Sequence, residues 1–133
     1  MTAGTGRTGA AMIGARIWAI GDGWIPATST GPAPEMTSHD SACMLNPNDE
    51  PAEVAMTVYF RDREPAGPYR VMIPARRVHH QRLNDLRDPE TVPCGADYSV
   101  VIRSSVPIVV QHTRLDSRQA ENALMSTIAF PAG

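Results

Sequence analysis

The feature that most restricts the fold is the strict two-residue alternation from Glu53 to Phe60. Every even-numbered side chain in this segment is apolar, and the odd-numbered side chains are mixed. Because successive side chains of a strand point to opposite faces, the pattern predicts a strand with one face against a core. A Pro- and Gly-containing segment (61–68) follows, and apolar alternation returns over 69–73. Together these segments predict a β-hairpin.

Six further segments are short, rich in β-branched or alternating residues, and separated by clusters of Pro, Gly, Asn and Asp. They predict strands at 16–20, 41–45, 76–82, 98–104, 108–112 and 123–130. Residues 116–122 fit either a short helical turn or an extended connection. No segment predicts a long helix. We therefore expect an all-β, single-domain fold of about eight strands, either a β-sandwich or a jelly-roll-like barrel.

The predicted strand over 76–82 is polar on both faces, because Arg76, Val78, His80 and Arg82 alternate with equally polar neighbours. Neither face is apolar enough to lie on a core. Such a strand belongs at a sheet edge, in a subunit interface or along a polar groove, and an edge is the expectation. A sheet edge of this kind also favours a homo-oligomer.

Composition excludes several functions. The net charge is −2 and all 12 basic residues are arginine, which argues against bulk electrostatic binding to nucleic acid or an anionic membrane. Cys43 and Cys94 lie too far apart for a CxxC motif and suit a reducing cytosol. No apolar run approaches the roughly 20 residues of a membrane helix. We expect residues 1–15 to be a disordered tail, not a signal peptide, before a domain over 16–131.

The candidate site is the segment 107–124, which starts as an apolar strand and turns abruptly polar. Guanidinium groups bind carboxylate or phosphate in two-pronged fashion, and carboxylates, amides and Trp rings bind sugars. The pattern therefore predicts a site for a small anionic or sugar-like ligand, and its alternative is a surface ion-pair set of little energetic value. The candidate ligand-binding residues are Trp18, His39, Tyr69, Arg76, His80, Arg114, Asp116, Arg118 and Gln119.

Catalytic and metal sites find less support. Ser117 has no G-x-S-x-G context, and His79 and His80 diverge to opposite strand faces. We expect no metal and no cofactor. His39 and Asp40 are expected to be an exposed pair unless His80 or His112 comes near. The basic run over 76–82 lacks aromatic interleaving, so a local contact with DNA stays a weak alternative.

Five motifs carry a resemblance to a known family. They are WAIGDGWIP (18–26), SHDSACMLN (38–46), VYFRDREPAGPYR (58–70), PARRVHHQRLNDLRDP (74–89) and PIVVQHTRLDSRQAENALMSTIAF (107–130). In this order and spacing the chain resembles the sensory rhodopsin transducer family. The resemblance implies a small cytoplasmic all-β protein that forms homotetramers and contacts the cytoplasmic face of a membrane photoreceptor. It also implies a role in signalling, with DNA contact or a small sugar-like ligand proposed for related domains.

The first functional hypothesis is therefore a non-enzymatic transducer that responds to a receptor or a small polar ligand. The second is a carbohydrate-related enzyme or ligand-binding module on a β-sandwich, unconnected with any rhodopsin. An enzyme would need two carboxylates, or an acid and a histidine, facing each other in one cleft. The third is a structural assembly module with a large apolar interface and no polar pocket.

Overall fold

A computed structural model describes residues 13–133 and shows eight β-strands. The strands are β1 (Ala15–Gly23), β2 (His39–Asn46), β3 (Ala52–Phe60), β4 (Ala66–Ile73), β5 (Arg77–Arg82), β6 (Tyr98–Asp116), β7 (Ala123–Ile128) and β8 (Phe130–Pro131). Among the described residues, one 3-10 turn spans Leu83–Asp85 and there is no α-helix. The predicted disordered tail lies outside the described residues except for 13–15, of which Ala15 already begins β1.

The 19-residue strand β6 organises the fold. Its first half lies between β1 and β3, and its second half lies between β2 and β7, in antiparallel pairing throughout. We call the first section sheet I (order β4-β3-β6-β1-β8) and the second section sheet II (order β5-β2-β6-β7). Each section thus depends on the same strand.

The sequence predicts two strands, 98–104 and 108–112, joined by a link over 105–107, whereas β6 is continuous in the structure. Pro107 lies where β6 passes from sheet I to sheet II, between the pair that Ser104 makes with β3 and the pair that Val109 makes with β2, and opposite the irregularity of β1 between Ala15 and Ile17. A proline is tolerated there because no ladder bond needs its missing N–H. Its carbonyl accepts a 2.7 Å hydrogen bond from Nδ2 of Asn48.

The inward side chains of both sections form one hydrophobic core, as expected for a sandwich. The alternation of β3 places Val54, Met56 and Val58 in this core, and the predicted hairpin is confirmed by the pairing of β3 with β4. Within residues 13–133, β4, β5, β7 and β8 each pair on one side only, so the sheet does not close into a barrel. The predicted edge position of β5 is thereby confirmed.

The described chain also lacks any helix with the length and apolar character that membrane crossing requires.

Candidate functional site

A buried carboxylate lies at the end of the core near the second half of β6. The parity of β2 turns Asp40 inward together with Ala42 and Met44, and Asp40 is fully buried. Its Oδ1 accepts a 2.5 Å hydrogen bond from Nε2 of His112. Its Oδ2 accepts from the Tyr98 hydroxyl and, at 2.9 Å, from the backbone N–H of Trp24. Both carboxylate oxygens are therefore satisfied, as a buried charge requires.

Arg114 adds a positive charge to this carboxylate. It faces Asp40 across the β2–β6 ladder, and its Nε lies 3.4 Å from Asp40 Oδ1. Although that distance makes an ion pair, the buried Nε has no hydrogen-bond partner, so the attraction is coulombic and not directed. Nη2 of Arg114 donates to the Asp22 carbonyl at 2.6 Å. We call Asp40, Tyr98, His112 and Arg114 the inner cluster.

Burial dominates the electrostatics of the inner cluster. Desolvation raises the pKa of Tyr98 far above its usual value, and the negative charge of Asp40 and the hydrogen bond to it raise that pKa further. Tyr98 therefore stays protonated and remains a donor to Asp40. Its hydroxyl fixes one side of the carboxylate while His112 fixes the other.

A second acid–base pair lies two residues farther along β6, at the surface. The guanidinium of Arg118 donates to both oxygens of Asp116, at 2.9 Å from Nε and 2.7 Å from Nη2. This two-pronged bond is the first cause of the lowered pKa of Asp116, and it raises the pKa of Arg118. Arg118 also lies over the Trp24 ring, 4.9 Å from its centroid. We call Asp116 and Arg118 the outer pair.

The loop between β1 and β2 packs onto this end of β6. Ser117 is buried, and its N–H and hydroxyl both contact the hydroxyl of Ser38. Thr30 donates from its backbone N–H and its hydroxyl to the Ser117 carbonyl, at 2.6 and 2.8 Å. Residues 117–122 form a loop without a helical turn. The long Pro-rich loop is thus fastened beside the outer pair.

A surface cleft of about 220 Å³ lies next to the inner cluster. His112, only 3% exposed, forms part of its wall, and Asp22 joins the cleft to Arg114. The remaining lining comes from the end of β1 and from the β7–β8 connection: Ala19, Ile20, Gly21, Thr127, Ile128, Ala129 and Phe130. A small molecule bound there would meet one imidazole, one carboxylate and apolar side chains.

The structure brings together part of the predicted site. Arg114, Asp116 and Arg118 lie around Trp24, and Gln119 is joined to the same loop because its carbonyl accepts from the Thr30 hydroxyl at 3.2 Å. These four residues stay the candidate binding residues.

Trp18 and Tyr69 do not reach this region. Both point inward from their strands, so they are core residues. Nε1 of Trp18 donates to the carbonyls of Ala15 and Ile108, and the Tyr69 hydroxyl donates to the Glu90 carbonyl. Their polar atoms are used within the protein, which leaves neither ring available for a ligand at the end of β6.

The other three candidates lie at separate places. His39 bonds the Thr37 carbonyl through Nδ1 at 2.8 Å and points away from the core. Arg76 is paired with Asp49 at 2.6 Å, and His80 is exposed on β5 opposite Cys43. The His39–Asp40 pair was expected to be exposed unless His80 or His112 came near, and this exception applies to Asp40, because β2 begins at His39 and turns the next side chain inward to His112.

Sequence reasoning missed Asp22, Trp24, Asp40 and Tyr98 as members of the site. A signal existed for two of them, since Asp40 shares inward positions with the apolar Ala42 and Met44, and Tyr98 shares them with Val100 and Ile102. A polar side chain at such a position needs a partner. Trp24 and Asp22 gave no comparable signal, because Asp22 is an exposed residue at the end of β1 and Trp24 lies in the loop that follows. Among the described residues, no group of three or more His, Cys, Asp or Glu side chains is placed to hold a metal.

Residues 13–131 match the sequence profile of the Anabaena sensory rhodopsin transducer family. The solved structure of the Anabaena sensory rhodopsin transducer is 51% identical to this chain at a TM-score of 0.71, covering 78% of this chain and 100% of that one. This chain belongs to the sensory rhodopsin transducer family. The crystal structure of Thermotoga maritima 1070 is also similar to this chain, with 36% sequence identity and a TM-score of 0.82. The match covers 91% of this chain and 97% of that one. A comparison with curated proteins gives no match.

Proposed function

We propose that this member of the sensory rhodopsin transducer family is a non-enzymatic signal transducer that works in the cytoplasm and binds a membrane photoreceptor through the end of β6. The observation that carries the proposal is the arrangement around Trp24, where the partly exposed outer pair lies next to an inner cluster whose buried carboxylate has all its acceptors used. A partially exposed indole with a guanidinium over its face is typical of interface anchors. The buried layer beneath it holds the strand end in place.

The experiment for this proposal measures binding to a sensory rhodopsin. Purified chain is titrated against Anabaena sensory rhodopsin in lipid nanodiscs by isothermal calorimetry, with the 51% identical transducer as the reference. We expect saturable binding that Trp24→Ala weakens. Tyr59→Ala is the control, because Tyr59 is an exposed aromatic on β3, two strands from β1. Equal affinities for wild type and Trp24→Ala would refute the assignment of this surface.

We also propose that a small polar ligand occupies the cleft beside His112 and Asp22. The charges favour a neutral, sugar-like molecule over an anion, because both guanidinium groups are already matched to carboxylates. Three acids (Asp22, Asp40 and Asp116) surround Arg114 and Arg118, so an anion would add to a local excess of negative charge.

Thermal-shift titration with a panel of monosaccharides, polyols, phosphate and carboxylates separates these ligand classes. A ligand that binds the folded state raises the melting temperature with concentration. We expect stabilisation by members of the neutral group and none by phosphate. Thr127→Trp, which places a large ring in the cleft from an exposed position, should abolish the shift. Stabilisation by phosphate alone would show that the site is an anion site.

The pairing of Asp40 with His112 supports a second candidate function. An acid and a histidine 2.5 Å apart, with the imidazole in the wall of a cleft, meet the minimum requirement for a carbohydrate-related enzyme. Asp40, however, already accepts from three donors and contacts a fourth group, so it orients the cluster more than it serves chemistry. An assay of chromogenic glycosides at micromolar protein concentration distinguishes the two functions. Turnover that is lost in His112→Gln would establish the enzyme and displace the transducer proposal.

A homo-oligomer, with the family's tetramer as the expected size, is the third part of the proposal. The outer face of sheet II supports it, because Val78, Leu45, Leu124 and Ile128 are exposed on it and its charges are few. A flat apolar face of this kind suits a second copy of the same chain.

Sedimentation at micromolar concentration tests this interface. We expect wild type to sediment as an oligomer and Val78→Glu/Ile128→Glu to sediment as a smaller species, because burying two carboxylates opposes association. The control is Met72→Glu, an exposed apolar residue of sheet I. A wild-type monomer would refute the oligomer.

DNA contact through β5 stays the weakest part of the proposal, since Arg76 is ion-paired and Arg82 donates to the Pro34 carbonyl.

A further inference from the structure

The outer face of sheet I carries two arginines without partners. Arg70 on β4 and Arg103 on β6 lie on either side of Ala55 of β3, each in direct register with it. Within residues 13–133, neither guanidinium makes a salt bridge or a side-chain hydrogen bond. Two strand spacings separate their Cα atoms by about 10 Å. The residue between them in the ladder is an alanine, whose side chain is too short to separate the two guanidinium groups.

This situation differs from that of most other arginines in the described chain. The others with a bonded guanidinium donate to a carboxylate or a backbone carbonyl: Arg61, Arg63, Arg76, Arg77, Arg82, Arg87, Arg114 and Arg118. A guanidinium has five donors in a planar fork that fits carboxylates. The free forks of Arg70 and Arg103 are therefore available to acceptors from outside the chain.

The surroundings favour a protein partner over a polyanion. Met72 and Phe130 are exposed on the same side of sheet I, at 58% and 68%. A cleft of about 410 Å³ begins at Arg70 and is lined by Pro51, Glu53, Val54, Arg70, Val71 and Met72. Glu53 beside the arginines and a net charge of −2 oppose a nucleic acid backbone. Two positive charges next to an apolar cleft suit a segment that carries both acids and an apolar side chain.

We propose that the outer face of sheet I is a docking surface for an acidic segment of a partner protein. Two carboxylates of the segment bind the forks of Arg70 and Arg103, and a neighbouring apolar side chain enters the cleft beside Met72. This surface is on sheet I, whereas the proposed oligomer face is on sheet II. A protein that associates through sheet II would keep it free. It is also separate from the Trp24 surface, so a failure of receptor binding leaves this proposal unaffected.

The probe is a pair of fluorescein-labelled helical peptides of 18 residues, rich in Ala and Leu. One carries glutamates at positions i and i+7, which a helix spaces about 10 Å apart. The other carries lysines at the same positions. Fluorescence anisotropy at low ionic strength measures both affinities for wild type, for Arg70→Gln/Arg103→Gln and for the control Arg77→Gln/Arg87→Gln. All three proteins are first compared by thermal melting, because these exposed substitutions should leave the fold intact.

We expect wild type and the control to bind the glutamate peptide about tenfold more tightly than the lysine peptide. This preference corresponds to the combined contribution of two exposed ion pairs to the binding free energy. In Arg70→Gln/Arg103→Gln the preference should fall to about twofold or less. Equal affinity of wild type for both peptides would overturn the proposal, and so would a preference that survives in the double variant. A 20-base-pair DNA duplex is the competing probe: if wild type binds it more tightly than the glutamate peptide and the double variant loses that binding, the surface is a nucleic-acid site instead.

Discussion

Two acid–base groups lie at the end of β6 and differ mainly in burial. In the inner cluster, Asp40 is fully buried and accepts from Tyr98, His112 and the Trp24 N–H. In the outer pair, Arg118 is the only side chain of the described residues that donates to Asp116, and the Arg118 side chain is 47% exposed. Removing one partner of a buried charge is costly, whereas an exposed ion pair contributes little. The same residue types thus stabilise the fold in one place and remain available for binding in the other.

The largest effect should come from the centre of the inner cluster. Asp40→Ala leaves the Tyr98 hydroxyl, an imidazole nitrogen and a backbone N–H without an acceptor, and it leaves Arg114 near no buried counter-charge. We expect the free energy of unfolding to fall by about 3–5 kcal/mol in urea titrations. If this variant does not fold, Asp40→Asn, which keeps the shape, provides the measurement. A loss below about 1 kcal/mol for either variant would mean that the cluster does not hold this end of the sandwich.

Tyr98→Phe should have an intermediate effect, because it removes a single hydrogen bond to a charged acceptor. We expect a loss of about 1.5–3 kcal/mol at neutral pH. Since the folded-state pKa of Tyr98 is raised above its value of 10.0 in the unfolded chain, the contribution is fully present below pH 10. It is lost as pH rises above that value, because only the unfolded state then releases the proton. Wild type should therefore lose stability above pH 10 more steeply than Tyr98→Phe, and parallel curves would contradict the assigned bond.

The smallest stability effect should come from Asp116→Asn. The pKa of Asp116 is lowered by the bond from Arg118, so the contribution of the pair is present above the unfolded-state pKa of 3.8. It disappears as pH falls through the lower folded-state value. Urea titrations of wild type and Asp116→Asn should nearly coincide at pH 7 and converge completely once the pH lies below the folded-state pKa of Asp116. The control is Asp97→Asn, which breaks the more exposed Arg61–Asp97 pair. A large loss of stability at pH 7 for Asp116→Asn, without a similar loss for Asp97→Asn, would show that Asp116 stabilises the fold as the inner cluster does.

The sequence predicted correctly those strands whose side chains follow a clear two-residue alternation. Alternation over β3 and its return in β4 predicted the hairpin, and the polar faces of β5 predicted an edge strand. The continuity of β6 was not predictable, because only the change of pairing partners at Pro107 makes a proline harmless there. Asp40 shows the limit for the site: its own neighbours suggested an exposed acid, and only the pairing of β2 with β6 brings His112 and Arg114 to it.

We propose that the outer pair serves binding while the inner cluster stabilises the fold. The most direct test is the affinity of Asp116→Asn/Arg118→Gln for a sensory rhodopsin in nanodiscs, measured by calorimetry on protein whose urea unfolding matches wild type. The account predicts that affinity falls by about tenfold or more, the scale of one interface anchor. Unchanged affinity in this double variant would contradict the claim, because the exposed groups at the end of β6 would then have no part in recognition.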